Sequence, residues 1–361
     1  MAFKIVALAG DGIGPEVMEA ARRVLEAVAG TAGMVVDIEP ALIGGAAIDA
    51  CGDPFPQETR AAVDTADAVY LGAVGGPQWD HAPRRPEQGL LELRQHMQVW
   101  ANLRPFDIWP GLEHLSPLRQ ASDVHGLIVR ELTGGLYFGT PRGRKQVDGE
   151  EVAVDTLPYA AHEIRRLAQI AFAYARQHQL PVTLVDKANV LETSRLWRDI
   201  VRQVHDKEFA EVSWDSKYVD AAAMELVLAP QKYRVVLTEN LFGDILSDLA
   251  GGIVGSLGLL GSASIKGYAG TPGLFEPVHG SAPDIAGKGI ANPIGAISAM
   301  AWLIGWSFNQ PQWQKTIECG IVRALQAGVR TPDMGGTDST QTVTDRVIQE
   351  ISQGCQRRKI S

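Results

Sequence analysis

Short apolar runs alternate along the chain with segments whose apolar residues recur every three or four positions. Ile5 to Ala9 is a run of strand length, and Gly10-Asp11-Gly12-Ile13-Gly14 reads as a turn. Pro15 suits the first position of a helix, where its missing N–H costs nothing. Val17, Ala20, Ala21, Val24, Leu25 and Val28 then make a helical stripe that Gly30 can end. The same alternation recurs. Ala68 to Leu71 predicts a buried strand leading to a glycine-rich loop. Val182 to Val185 predicts a strand before a helix with Leu196, Ile200 and Val204 on its inner face. Val235 to Leu237 predicts another, before a helix over Phe242 to Ala250. This pattern predicts an α/β layer fold with a largely parallel sheet. No repeat is visible, which excludes a solenoid. The glycines at 10, 12 and 14 lack the dinucleotide spacing, whose third glycine stands three positions after the second, so a standard Rossmann domain is not supported.

Length and charge narrow the class. The 361 residues suit two domains. A formal net charge of -9 argues against nucleic acid or an anionic membrane surface as a partner. Cys51, Cys319 and Cys355 have no paired spacing, so neither a disulfide framework nor a zinc site is expected, and a reducing cytosol fits best. Residues 4–9 are too short for a signal segment. The most apolar later stretch, Pro293 to Trp306, is interrupted by Ser298 and falls short of the roughly 18 residues a membrane span needs. A soluble, cytoplasmic protein is expected.

Three segments carry candidate chemistry. In Asn240-Leu241-Phe242-Gly243-Asp244-Ile245-Leu246-Ser247-Asp248, a helix would put Asp244 and Asp248 on one face. Such a carboxylate pair suits Mg²⁺ or Mn²⁺ in apolar surroundings and is otherwise a solvated acidic face. Arg94, Arg104 and Arg130 form a second group; Arg130 follows Leu127-Ile128-Val129, and an arginine at a strand end can read a carboxylate bidentately. Alone, each is more often half of a surface ion pair. Tyr137 and Lys187 could serve as acid and base, with Lys187 ending an apolar strand. The stretch from His279 to Pro293 reads as an ordered loop permitting close backbone approach to a ligand.

Together these segments resemble the β-decarboxylating dehydrogenases, the family of 3-isopropylmalate, isocitrate, homoisocitrate and tartrate dehydrogenases. The resemblance runs from Gly10-Asp11-Gly12-Ile13-Gly14-Pro15-Glu16 to the loop ending at Pro293. Arg85-Pro86-Glu87-Gln88-Gly89-Leu90-Leu91, the run from Val129 to Gly139, and Asp186-Lys187-Ala188-Asn189-Val190-Leu191 are similar to its isopropylmalate branch. The resemblance implies a two-domain α/β fold with open, largely parallel sheets. Residues 1–101 and 255–361 would form an NAD-binding domain, and 102–254 a central domain with the dimer interface and the metal and substrate residues. It also implies homodimers with shared active sites, in which Lys187 and Asp220 serve the neighbouring subunit.

By the same resemblance, Arg94, Arg104 and Arg130 bind the substrate carboxylates. Asp244, Asp248 and the neighbour's Asp220 hold Mg²⁺ or Mn²⁺ against the substrate. Tyr137 and Lys187 are the catalytic acid and base. Glu87, Leu90, Leu91 and Val190 face the 3-substituent, where the leucines would leave a third carboxylate unpaired. His279, Gly280, Ser281, Ala282, Pro283, Asp284, Ile285, Asn292 and Ile13 bind the cofactor, with Asp284 favouring NAD by accepting from ribose hydroxyls. The implied reaction is NAD-dependent oxidative decarboxylation of 3-isopropylmalate to 2-oxo-4-methylpentanoate, in leucine biosynthesis. A sibling activity on another 3-substituted malate, tartrate or homoisocitrate is one alternative, and a non-catalytic regulatory subunit is another. Three residues depart from the family's pattern. Glu239 adds charge beside the metal pair, Gly261 predicts a looser loop, and Trp100 is bulkier than usual.

Overall fold

The computed structural model describes residues 2–359. The chain divides into two compact units: Met1–Val99, Asp107–Ser122 and Val254–Ser361 form the first, and Trp100–Phe106 with Asp123–Ile253 the second. Residues 107–122, assigned above to the central domain, pack with the chain ends instead. Among the described residues no helix is long and apolar enough to cross a membrane.

In the first unit the strands lie in the order Val35–Ala41, Ala2–Gly10, Ala68–Ala73, Gly273–Pro277, Gly261–Ile265. The first four run parallel, and the last is antiparallel to its neighbour. Register follows the apolar pattern, pairing Ile5 with Ala68 and Leu8 with Leu71. All six residues of Ala68–Ala73 are buried, as a strand covered on both faces requires. The N-terminal helix, Gly14–Ala32, buries the predicted stripe but runs past Gly30. It ends where Gly33 turns left-handed at φ 67°, a conformation glycine adopts without a Cβ clash. The apolar stretch after Pro293 is the helix Ile294–Trp306, buried along its whole length to Gly305. It lacks a polar face because strands 261–265 and 273–277 and two further helices cover it. Gly261 belongs to this contact. A Cβ there would come within 2.6 Å of the Ala299 nitrogen, so the residue permits close helix–strand approach and does not loosen a loop.

In the second unit the order is Ala101–Asp107, His125–Glu131, Val235–Thr238, Val182–Asp186, Trp214–Tyr218. The last four are parallel. Helices Ala161–His178 and Glu192–Glu208 pack together, and the predicted inner positions Ile200 and Val204 are buried. Trp100 is covered by the Arg166 guanidinium, whose carbon sits 4.6 Å from the ring centre. An exposed antiparallel hairpin, Gly143–Val147 with Glu150–Val154, projects from this unit. Cys51 and Cys319 are free thiols; the side chain of Cys355 lies outside the described residues.

Candidate active site

The second unit gathers most of the proposed chemistry. Strand His125–Glu131 carries Arg130, the single turn Gly135–Tyr137 carries Tyr137, and helix Asn240–Val254 carries both aspartates. Arg130 Nη1 pairs with Asp244 Oδ1, and the Tyr137 hydroxyl donates to Asp244 Oδ2 over 2.7 Å. Burial works to raise the Asp244 carboxyl, but Arg130, the Tyr137 hydroxyl and the charge of Arg104 outweigh it and hold the group below the usual carboxylate range. Tyr137 moves the other way: burial first, then the hydrogen bond and charge of Asp244, push its phenol up to about 12. At neutral pH the site therefore pairs an ionised acceptor with a protonated donor.

Arg104, on Ala101–Asp107, donates to Ser247 Oγ at 2.8 Å and lies 3.4 Å from Asp248 Oδ1. Asp248 sits one helical turn beyond Asp244 and is 71% exposed, open to an outside ligand. Lys187, just past strand Val182–Asp186, pairs its ammonium with Asp220 at the start of helix Val219–Leu228. That contact favours the ionised carboxylate of Asp220. Among the described residues no three histidine, cysteine or acidic side chains gather into a metal-sized group, so Asp220 does not join Asp244 and Asp248 within one chain. Exposed Val190 shares the turn of Lys187, its N–H bonding the Lys187 carbonyl at 2.9 Å.

Glu239 is part of the scaffold of this cluster. Its side chain is buried, accepting from the Phe242 N–H at 2.7 Å and the Tyr159 hydroxyl at 3.0 Å. Burial pushes its carboxyl up, against those donors and Arg130. Both oxygens are thus committed to the first turn of the aspartate-bearing helix and to its neighbour.

The first unit holds the remaining predicted residues in two places. Helix Pro86–Met97 buries Gly89, Leu93 and Met97, leaves Glu87 exposed and half-covers Arg94. Leu91 is exposed and Leu90 only partly covered. Arg94 Nη2 donates to buried Glu276 at 2.8 Å, while its Nε is buried without a partner.

The second place is a cavity of about 470 Å³. Of the predicted cofactor residues, Ile13, His279, Ala282, Ile285 and Asn292 line it; Gly280, Ser281, Pro283 and Asp284 belong to the adjoining loop without lining it. The Gly10–Gly14 turn is fastened to that loop, since the Ile13 N–H donates to the Ser281 carbonyl at 2.8 Å. Burial lowers the His279 pKa, partly opposed by the Gly280 carbonyl, so its ring is neutral at pH 7. With Nδ1 bonded to that carbonyl at 2.9 Å, the unpartnered, buried Nε2 is left as an acceptor at a mostly apolar cavity. An apolar wall with one waiting acceptor fits an aromatic base bearing N–H or O–H groups, as in a dinucleotide.

Two residues were not singled out by sequence reasoning. Asp11, 4% exposed, accepts from the backbone N–H groups of Gly45, Ala46 and Gly75, each at 2.8 Å. Asp333 accepts from Asn292 Nδ2 at 2.9 Å and from the hydroxyls of Ser256 and Thr331, joining three segments beside the cavity. All three donors to Asp11, and Asn292 and Ser256 for Asp333, lie far away in sequence, which a local pattern does not reveal.

The family profile described as isocitrate/isopropylmalate dehydrogenase matches residues 4–351. The chain is 49% identical over 353 residues to the 3-isopropylmalate dehydrogenase of Bacillus cereus, covering 98% of each. It is 51% identical over 345 residues to that of Oleidesulfovibrio alaskensis, covering 93% of this chain and 96% of the other. Among solved structures, the isocitrate dehydrogenase of Methylococcus capsulatus superposes with a TM-score of 0.84 at 35% identity, covering 97% of this chain and 99% of that one. A β-decarboxylating dehydrogenase from Thermococcus kodakarensis gives 0.81 at 37%, covering 97% and 96%. Likeness of this extent, in sequence and in fold, makes the chain a dehydrogenase that belongs to the isocitrate/isopropylmalate dehydrogenase family.

Proposed function

We propose that the protein is a cytoplasmic homodimer that oxidatively decarboxylates 3-isopropylmalate to 2-oxo-4-methylpentanoate, using NAD and Mg²⁺ or Mn²⁺, as a step of leucine biosynthesis. The observation that carries this reading is the Arg130–Asp244–Tyr137 cluster. It sets a guanidinium and a protonated phenol each within hydrogen-bond reach of the same ionised carboxylate. The relatives named for this reaction support the choice of substrate.

Arg94, Arg104 and Arg130 would bind the two malate carboxylates. Asp244 and Asp248, with the partner subunit's Asp220, would hold the divalent cation; hard carboxylate oxygens on adjacent helical turns fit that group. When bound, NAD would accept a hydride and the cation would polarise the substrate's hydroxyl and the carbonyl it becomes. The partner subunit's Lys187, in its neutral amine form after its ammonium proton has passed to solvent, takes the hydroxyl proton. As the β-carboxylate leaves as CO₂, its bonding electrons stay on the substrate carbon, and Tyr137 returns a proton there. Leu90 and Leu91 present an apolar surface to the isopropyl group, beside Glu87 and the partner subunit's Val190. The His279–Asn292 cavity would take the adenosine end of NAD, with Asp284 beside it for the ribose. Exposed Met224, Val227, Leu228 and Ile245, on the two helices bearing Asp220 and Asp244, support burial against a second copy.

The test is a coupled measurement on the purified protein with 3-isopropylmalate, NAD and Mg²⁺. Equimolar NADH and CO₂, abolished by a chelator, are expected. NADH without CO₂ contradicts the decarboxylation, and silence contradicts the whole reading.

A further inference from the structure

We propose that Asn240 is a positioning residue that fixes the Arg130 guanidinium and the Tyr137 turn relative to each other. This rests on the reading that Arg130 binds substrate and Tyr137 protonates it. Asn240 is 1% exposed and Arg130 6%. Asn240 Oδ1 accepts from Arg130 Nε at 3.1 Å and from Nη2 at 2.8 Å, holding one edge of the guanidinium plane. Its Nδ2 donates to the Gly134 carbonyl at 3.0 Å, immediately before the turn Gly135–Tyr137. The amide's orientation is dictated by its partners: a guanidinium only donates and a carbonyl only accepts, so Oδ1 must face the first and Nδ2 the second.

No other side chain of this size carries a neutral acceptor and a neutral donor on two separate atoms of one planar group. Aspartate would keep the arginine contact but set a carboxylate against the Gly134 carbonyl. Alanine would lose both and leave two buried guanidinium N–H groups without this acceptor. The backbone of Asn240 is itself held: its N–H donates to the Tyr159 hydroxyl at 3.0 Å, which in turn donates to Glu239. Asn240 thus orders a long arginine before substrate arrives, so less ordering entropy is lost on binding.

The test combines kinetics with an observation independent of turnover. In ¹⁵N-arginine-labelled protein, the Arg130 Nε–H, assigned through Arg130→Lys, should give a slowly exchanging resonance. Asn240→Ala should erase it and raise KM for 3-isopropylmalate about tenfold or more, with KM for NAD within about twofold. Asn240→Asp should keep the resonance and the substrate KM while kcat falls about tenfold, because only the Tyr137 turn is loosened. A resonance that survives Asn240→Ala, or two KM values that rise together, overturns the proposal. A wild-type protein silent on 3-isopropylmalate would sink the substrate reading alone, and the Nε–H comparison would still decide the role of Asn240.

Discussion

The Tyr137 hydroxyl donates a 2.7 Å hydrogen bond to Oδ2 of Asp244. Burial and that carboxylate push the phenol up to about 12, so it keeps its proton throughout the neutral range. Tyr137→Phe preserves the ring and removes the proton. Its kcat should fall by about 10²–10⁴-fold with little change in NAD affinity, measured by NADH formation and by NADH fluorescence titration. A fall of less than about threefold would exclude Tyr137 as the acid.

The proposed sharing of the active site between two subunits predicts complementation. Asp220→Asn and Tyr137→Phe should each inactivate the homodimer. After unfolding and refolding an equal mixture, half of the dimers are hybrids. Each hybrid has one site with both changes and one with neither, so about 25% of wild-type activity should return. No recovery would mean that Asp220 and Tyr137 act from the same chain.

The proposed cofactor role of His279 predicts a pH dependence of NADH binding. Its folded pKa lies below the usual histidine value because of burial, so Nε2 is an acceptor at pH 7 and becomes a donor only on acidification. The Kd for NADH should be level above about pH 6.5 and rise below it, and His279→Phe should weaken binding while flattening the profile. A wild-type Kd that stays constant from pH 7 to 5 contradicts this role.

Glu318 makes a prediction about stability rather than catalysis. Burial raises its carboxyl from 4.5 to about 7, opposed by the Gln314 amide and Lys315 and reinforced by Asp107. Between these values the folded chain holds a proton that the unfolded chain has released, so this contribution to stability is complete below 4.5 and is lost as pH rises to 7. Glu318→Gln should therefore leave stability unchanged near pH 4 and raise it by about 1–3 kcal/mol at pH 8, read by urea unfolding. An equal gain at both pH values would contradict the assignment.

The first strand, turn and helix could be read directly because Val17 to Val28 repeat with the period of a helix buried on one side. The helix end was misread: Gly30 stays helical, and Gly33 supplies the left-handed turn three residues later. Gly261 was misjudged for a longer-range reason. What it permits is the approach of the Ala299 backbone, from a helix more than thirty residues away in sequence. The spacing of Asp244 and Asp248 put both on one helix, as observed. Nothing local announced that Arg130 and Tyr137 converge on Asp244, since those contacts span 114 and 107 residues. The anchoring by Asp11, Glu239 and Asp333 was hidden likewise, because each carboxylate takes a donor from a distant segment: Gly45 for Asp11, Tyr159 for Glu239 and Asn292 for Asp333.

The central claim is the substrate. Its most direct test is kcat/KM, from NADH formation at 340 nm with Mg²⁺ and NAD, for 3-isopropylmalate against malate, tartrate, isocitrate and a malate with a bulkier 3-substituent. An apolar wall at Leu90 and Leu91 predicts that 3-isopropylmalate exceeds malate by about 10–200-fold and isocitrate by more, because a third carboxylate would be desolvated there without a partner. A preference for isocitrate, tartrate or the bulkier malate would contradict it.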